Sequence, residues 1–490
     1  MKQEKGSITI YMCLVLPLML ALVFTLLESA RVRGLQVDAD RMTQAAAESV
    51  FAEYNRELLE EYDLFLLDGG YGTGSFSADN AAARMMTFLA ENADAADDSG
   101  IDFFSLQPQE AMIIAYQLAS DDGGAAYYEM ACSYAESALS AAVLRNLTAY
   151  LTGSADDETD ETLDQIEEAL DALSDEDSYS EEENSELTAE EIAAAENVSE
   201  ETKGILETIS EMKTQGILAL LVEDTGDLSS LSLSGMELYS DRDAEAGTQS
   251  FLDGDGNRLL FQWYLGEKFM TFTNEAKEDH ALEYELEYCY AGKDSDMENL
   301  ERTAEAILLI REGINYAYLR TDSEKVSQAR IVAVAIAGIF AVPALITVVE
   351  NAVLAAWAFL ESVKDVQVLL AGGKVPAVKS SSTWKTSLSV QSISGSTDTE
   401  SSSGLTYENY LQVLLLTVKE SKLIERSLNL IERNVINTAG NEEFQIDHCI
   451  AGAQWNVTWS GSAMFLSMAA PLLSSTDGYG FASEGAFQYE

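Results

Sequence analysis

From Ser7 to Leu27 the chain reads SITIYMCLVLPLMLALVFTLL, twenty-one residues without a charge. At 1.5 Å per residue a helix of that length covers roughly 30 Å, the hydrocarbon thickness of a bilayer, and it satisfies its backbone polar groups internally. Every later part of the chain is therefore sorted relative to a membrane. Pro17 removes one helical hydrogen bond and bends the segment, which membrane helices tolerate better than soluble ones. A secretory signal peptide is the competing reading, because Lys2 and Lys5 precede the apolar run. The run is too long for an ordinary signal core, and Glu28-Ser29-Ala30-Arg31 follows it without a small-x-small cleavage site. The chain thus starts with a short basic leader, residues 1–6, and a transmembrane helix, residues 7–27. Flanking charge does not orient that helix, since Lys2 and Lys5 on one side balance Arg31 and Arg33 on the other.

Charge narrows the partners. Against 84 acidic side chains stand 28 basic ones, a formal net charge of −56. Such a surface repels nucleic acid and anionic headgroups, which need clustered Lys and Arg. Membrane lipid, met through the apolar helix, is the expected partner, and nucleic acid is not. Two histidines, His280 and His448, leave little for a metal centre or a His-based general base. Cys13 lies within the apolar run, and Cys132, Cys289 and Cys449 are far apart with no CxxC pair, so reduced, buried thiols are expected. DGDGN at Asp253–Asn257 begins like a calcium loop, but Arg258 stands where Gly belongs and Tyr264 where Glu belongs; a turn explains it. No GxSxG elbow, Cys and His arrangement, P-loop or GxGxxG occurs, and carboxylates are too abundant to single out a catalytic pair. The expectation is a protein without catalytic residues, metal or cofactor.

Beyond the membrane, apolar residues from Leu35 to Leu59 recur at helical spacing, so the transmembrane helix is expected to run on as a stalk over residues 28–70, stopped by Gly69 and Gly70. Residues 71–153 open the body. Between Ser154 and Thr202 stand 21 acidic residues and no Lys or Arg, which predicts an acidic, mobile insertion at 154–202. Residues 203–490 form the main body. Alternation in Leu282–Tyr290 and in AQWNVTW, and more weakly in TSLSVQSIS, predicts half-buried antiparallel strands among helices at 297–319, 328–370 and 407–435. Ile331–Val349 is a second uncharged run, 19 residues long, which by length alone could span a bilayer; its Ala and Gly content, Pro343 and the apolar helix that follows favour instead a hairpin near 328–370 buried against the sheet. The fold class is α+β: an N-terminal transmembrane helix, a stalk, and a helix-rich body with an antiparallel sheet.

The leader MKQEKG followed by LVLPLMLALVFTLLES resembles the N-terminus of the TadE and TadG-like pseudopilins of Tad (Flp-type) pilus systems. That resemblance implies cleavage by a prepilin peptidase between Gly6 and Ser7, and it matches Glu28 to the acidic residue at the helix end. The glutamate usual at the fifth mature position is Tyr11 here. SVFAEYNRELLEEYDLFLLD, LEYELEYCYAGKDSDMENL, LAGGKVPAVK and LTYENYLQVLLL resemble an uncharacterised Gram-positive family of membrane-anchored, Tad-pilus-associated proteins. The resemblance implies a single-pass cell-membrane protein with an extracytoplasmic body that serves as a structural or assembly component, partnered by other pilus or pseudopilin subunits. Pro17 and Glu28 are the candidate helix-packing residues, with salt or hydrogen-bond partners for Glu28 supporting association. The alternative is a membrane-tethered binding or adhesion module that never enters a filament.

Overall fold

The computed structural model describes residues 5–97, 106–139, 193–214, 216–222, 225–340, 345–388, 404–466 and 478–489. The chain is α+β and separates into two compact units. The first comprises Met1–Ser133, Leu238–Gly256 and Ile431–Glu490; the second comprises Tyr134–Glu237 and Asn257–Leu430. The acidic insertion lies outside the described residues except for 193–202.

In the first unit α1 (Lys5–Phe51) is one helix with two characters. Its front is apolar and open on all sides: Leu14, Leu18 and Leu22 are 70, 72 and 61% exposed. From Glu28 onward the buried residues are Glu28, Arg31, Leu35, Ala39, Thr43, Ala46, Ala47, Val50 and the terminal Phe51, a spacing of mostly three and four that marks a single face. That face meets an antiparallel sheet of β1 (Leu67–Asp68), β2 (Leu106–Leu118), β3 (Cys449–Gly461) and β4 (Tyr479–Gln488). β3 is central, with β2 on one edge in the register Leu106↔Gly461. On its other edge β1 (Leu67↔Ile450) and β4 (Gly461↔Tyr479) follow one another.

The alternation in AQWNVTW is a strand, as expected. Trp455, Val457 and Trp459 are buried, and Trp459 Nε1 donates to Thr43 Oγ1 of α1 at 3.0 Å. Ser483 of β4 donates to Asp40 at 2.8 Å. Gly485 is required opposite Trp455, since a Cβ there would fall 2.7 Å from the indole. Each large side chain closed off between helix and sheet contributes about 2–3 kcal/mol. α3 (Ala78–Asp97) packs beside α1 and over β2.

The stalk is shorter than its helical spacing predicts. α1 stops at Phe51, not near residue 70, because that ring is captured in an aromatic cluster, stacked on Phe487 at 4.5 Å and edge-on to Tyr489. Asn55 then caps a separate α2 (Arg56–Tyr62), accepting from the amides of Glu57 and Leu58. Gly69 is no helix stop: it lies past β1, where its amide donates to His448 O at 3.0 Å and a Cβ would strike Phe76.

The second unit is helical. Its elements include α4 (Ile205–Thr214), α5 (Arg258–Lys268), α6 (Glu285–Ala291), α7 (Asp296–Thr321), α8 (Ser323–Phe340), α9 (Ile346–Leu370) and α10 (Tyr407–Leu415). α8 and α9 pack on one another, as a hairpin should, and α9 also lies along α7; Leu319, Ala329, Val332, Val353, Leu354 and Trp357 form their shared core. The hairpin belongs to the second unit, and all four named strands belong to the first. The alternating stretch Leu282–Tyr290 is no strand; most of it is α6. Its glutamates face backbone amides inside the fold rather than solvent, so a period of two arises without a sheet. In TSLSVQSIS, residues 386–388 are irregular and the remainder lies outside the described residues.

Candidate functional site

The residues marked out by the sequence gather on α1. Gly6 and Ser7 lie in its first turns, and Pro17 stands inside it, exposed. Residues 11–51 of α1 have a window of mean hydropathy 2.2, of which 6% is buried. An uncovered apolar cylinder of this length is the form a membrane anchor requires, and a signal sequence shares it.

Glu28 ends the apolar stretch and is 2% exposed. Its carboxylate accepts from Arg31 at 2.9 Å, from the Met464 amide at 3.3 Å and from the Phe465 amide at 2.6 Å. Arg31 also donates to Ser462 O at 2.7 Å, and the Phe24 and Phe465 rings stack at 6.4 Å. Burial alone would raise the carboxyl, but the Phe465 and Met464 amides, followed by Arg31, hold it below the usual carboxylate range. Glu28 is thus an anion whose partners are in its own chain. It fastens the β3–β4 connection to α1 at the point where the uncharged stretch ends. Of these partners the Met464 and Phe465 amides lie more than 400 positions away, beyond the reach of any local sequence pattern.

Two groups of buried charge in the second unit were equally hidden. Arg311, fully buried, donates to Asp365 at 2.8 and 3.0 Å, to the carbonyls of Pro376 and Ala377, and to Tyr410 Oη. Lys379 bridges Asp365 and Glu361, each at 2.6 Å, and Glu361 accepts the amides of Lys385 and Thr386. Through these contacts the LAGGKVPAVK segment and the residues after it are bound to α7 and α9. All the charges are matched, as a buried network must be.

The other group surrounds α6. His280 Nδ1 lies 2.8 Å from Glu285, and Glu285 accepts the Met270 amide. Glu287 Oε1 accepts from the Phe272 amide and Tyr407 Oη, both at 2.8 Å, while Oε2 is buried without a hydrogen-bond partner. Burial, the largest influence, pushes the Glu287 carboxyl up to about 7. Its folded state therefore holds a proton that the unfolded chain releases near 4.5. The resulting stabilisation is present below that value and lost as pH rises through 7, on the order of 3 kcal/mol in all. Resistance of the second unit to denaturant is expected to fall as pH rises from about 5 to 8, and Glu287→Gln to flatten that slope. Equal slopes in both proteins would remove Glu287 as the cause.

Among the described residues no group of three or more His, Cys, Asp or Glu is arranged to hold a metal ion. DGDGN is a turn whose Gly254 and Asp255 amides donate to Glu129 and whose Asn257 caps α5. Cys132, Cys289 and Cys449 are buried and not disulfide-bonded, and burial raises the Cys289 and Cys449 thiols, which keeps them unreactive.

A family model described as a family of unknown function (DUF5702) matches residues 195–461, just over half of the chain. The match takes in most of the second unit and the central strand β3, and it leaves out α1. No curated protein and no solved structure matches the chain.

Proposed function

This chain belongs to the DUF5702 family of unknown function, and from that premise we propose that it is a non-enzymatic structural or assembly component of a Tad-like pilus or surface apparatus. α1 holds it in the cell membrane in a single pass, and its bulk is extracytoplasmic. The observation that carries this reading is the change of character along one unbroken helix: apolar and uncovered before Glu28, one-faced and packed on an antiparallel sheet after it. A pilin-like subunit has that division of labour, with the front of the helix left for lipid or for neighbouring apolar helices and the back fixed to a head. Close packing of the exposed front, Pro17 included, supplies association, because burying apolar surface gains little inside lipid. Prepilin peptidase and other pilus or pseudopilin subunits are the proposed partners.

One observation favours the runner-up, a membrane-tethered binding or adhesion module. Glu28 is neutralised within its own chain, so no neighbouring subunit has to satisfy it. Mass spectrometry of the N-terminal peptide from membranes of the native host separates the two. A mature chain beginning at Ser7 is expected on the pseudopilin reading; a membrane-retained chain beginning at Met1 would favour the tether.

A further inference from the structure

We infer that the β3–β4 connection, at Met464–Leu466, is a second point of membrane contact that enters the bilayer interface beside α1. This rests on the reading of α1 as a membrane anchor and adds where the body meets the lipid. Phe24 lies three residues before the end of the uncharged stretch, hence roughly 5 Å inside it along the helix axis. The Phe465 ring stacks on Phe24 with an interplanar angle of 14°, so whatever depth Phe24 reaches, Phe465 shares. Leu466 follows and is 38% exposed. In sequence no charge occurs from Ser460 to Thr476.

The polar groups at this depth are accounted for. A backbone amide entering an apolar medium needs an acceptor of its own. The Met464 and Phe465 amides have one in Glu28, whose charge is matched by Arg31, and Arg31 in turn satisfies Ser462 O. Here the backbone donors are sealed inward and Leu466 is left uncovered. The occupant of that surface is the upper acyl and glycerol region of a bilayer, where aromatic and aliphatic side chains commonly settle.

The test uses the full chain with Cys13→Ser, reconstituted in phosphatidylcholine vesicles and carrying one nitroxide at Leu466→Cys, at Leu20→Cys in the anchor, or at Asp79→Cys on the exposed body. The three remaining cysteines are buried. The Leu466 label is expected to be shielded from a water-soluble nickel chelate several-fold relative to the Asp79 label, with an oxygen accessibility between those of the Asp79 and Leu20 labels. A Leu466 label as accessible to nickel as Asp79, with Leu20 still shielded, overturns the second contact and leaves the anchor standing. A Leu20 label in water would overturn both.

Discussion

With Leu14, Leu18 and Leu22 all replaced by aspartate, the full-length chain is expected to move from the membrane pellet to the supernatant without detergent. Each aspartate near the middle of a bilayer costs about 3 kcal/mol of insertion, so three together oppose it by on the order of 9 kcal/mol. The three leucines are 61–72% exposed, so the substitutions leave the core of the first unit intact. Its circular dichroism and thermal transition should be unchanged. The contrasting variant is Leu35→Asp, at a fully buried position on the same helix. That change buries an unpaired charge, so the first unit is expected to unfold while α1 stays in the membrane. A triple variant still retained by membranes would refute the lipid placement of α1.

Arg311→Met is expected to destabilise the second unit by about 3–5 kcal/mol, the range for breaking a buried ion pair from one side. Burial alone would raise the Asp365 carboxyl, but Arg311 and then Lys379 hold it below the usual carboxylate range. Without Arg311, Asp365 retains only Lys379 as a cation, and that cation is shared with Glu361. The carbonyls of Pro376 and Ala377 also lose their donor, so the segment leading to Lys379 should loosen first. Hydrogen exchange of α7 and α9 measures this directly, with the amides of β3 in the first unit as the internal reference. Unchanged protection of α7 and α9 would show the network to be dispensable. Pairing Arg311→Met with Asp365→Asn should recover part of the loss, because the stranded carboxylate is then gone.

Some of this was legible in the residues. An uncharged run of twenty-one can satisfy itself only as a helix, and α1 is one. AQWNVTW alternates because one face of β3 is closed by α1, and a one-sided sheet leaves that pattern. Leu282–Tyr290 alternates for a different reason. In α6 Glu285 and Glu287 each accept a backbone amide from the segment before the helix, at Met270 and Phe272, while the Leu and Tyr between them fill the core. Periodicity reports burial on one face, and it fails where polar side chains are buried too. The end of α1 was misplaced because aromatic capture by Phe487 and Tyr489 stops it, and nothing at Phe51 itself resembles a helix terminator. Arg311, Asp365 and Lys379 read as ordinary charges among 112 acidic and basic side chains, and only their convergence distinguishes them.

The order of segments along the chain has a consequence for biogenesis. α1 leaves first during synthesis, yet its inner face from Leu35 to Val50 is covered by strands that begin at Cys449 and Tyr479. The intervening residues of the second unit can pack while that stripe is still bare. On the proposed membrane reading the half-made protein is anchored before it is closed, and a translational stop anywhere before residue 449 is expected to yield a lipid-bound fragment with an uncovered helix face and no central strand. Such a fragment invites quality-control proteases or a protective chaperone on the side of the membrane where the sheet is completed.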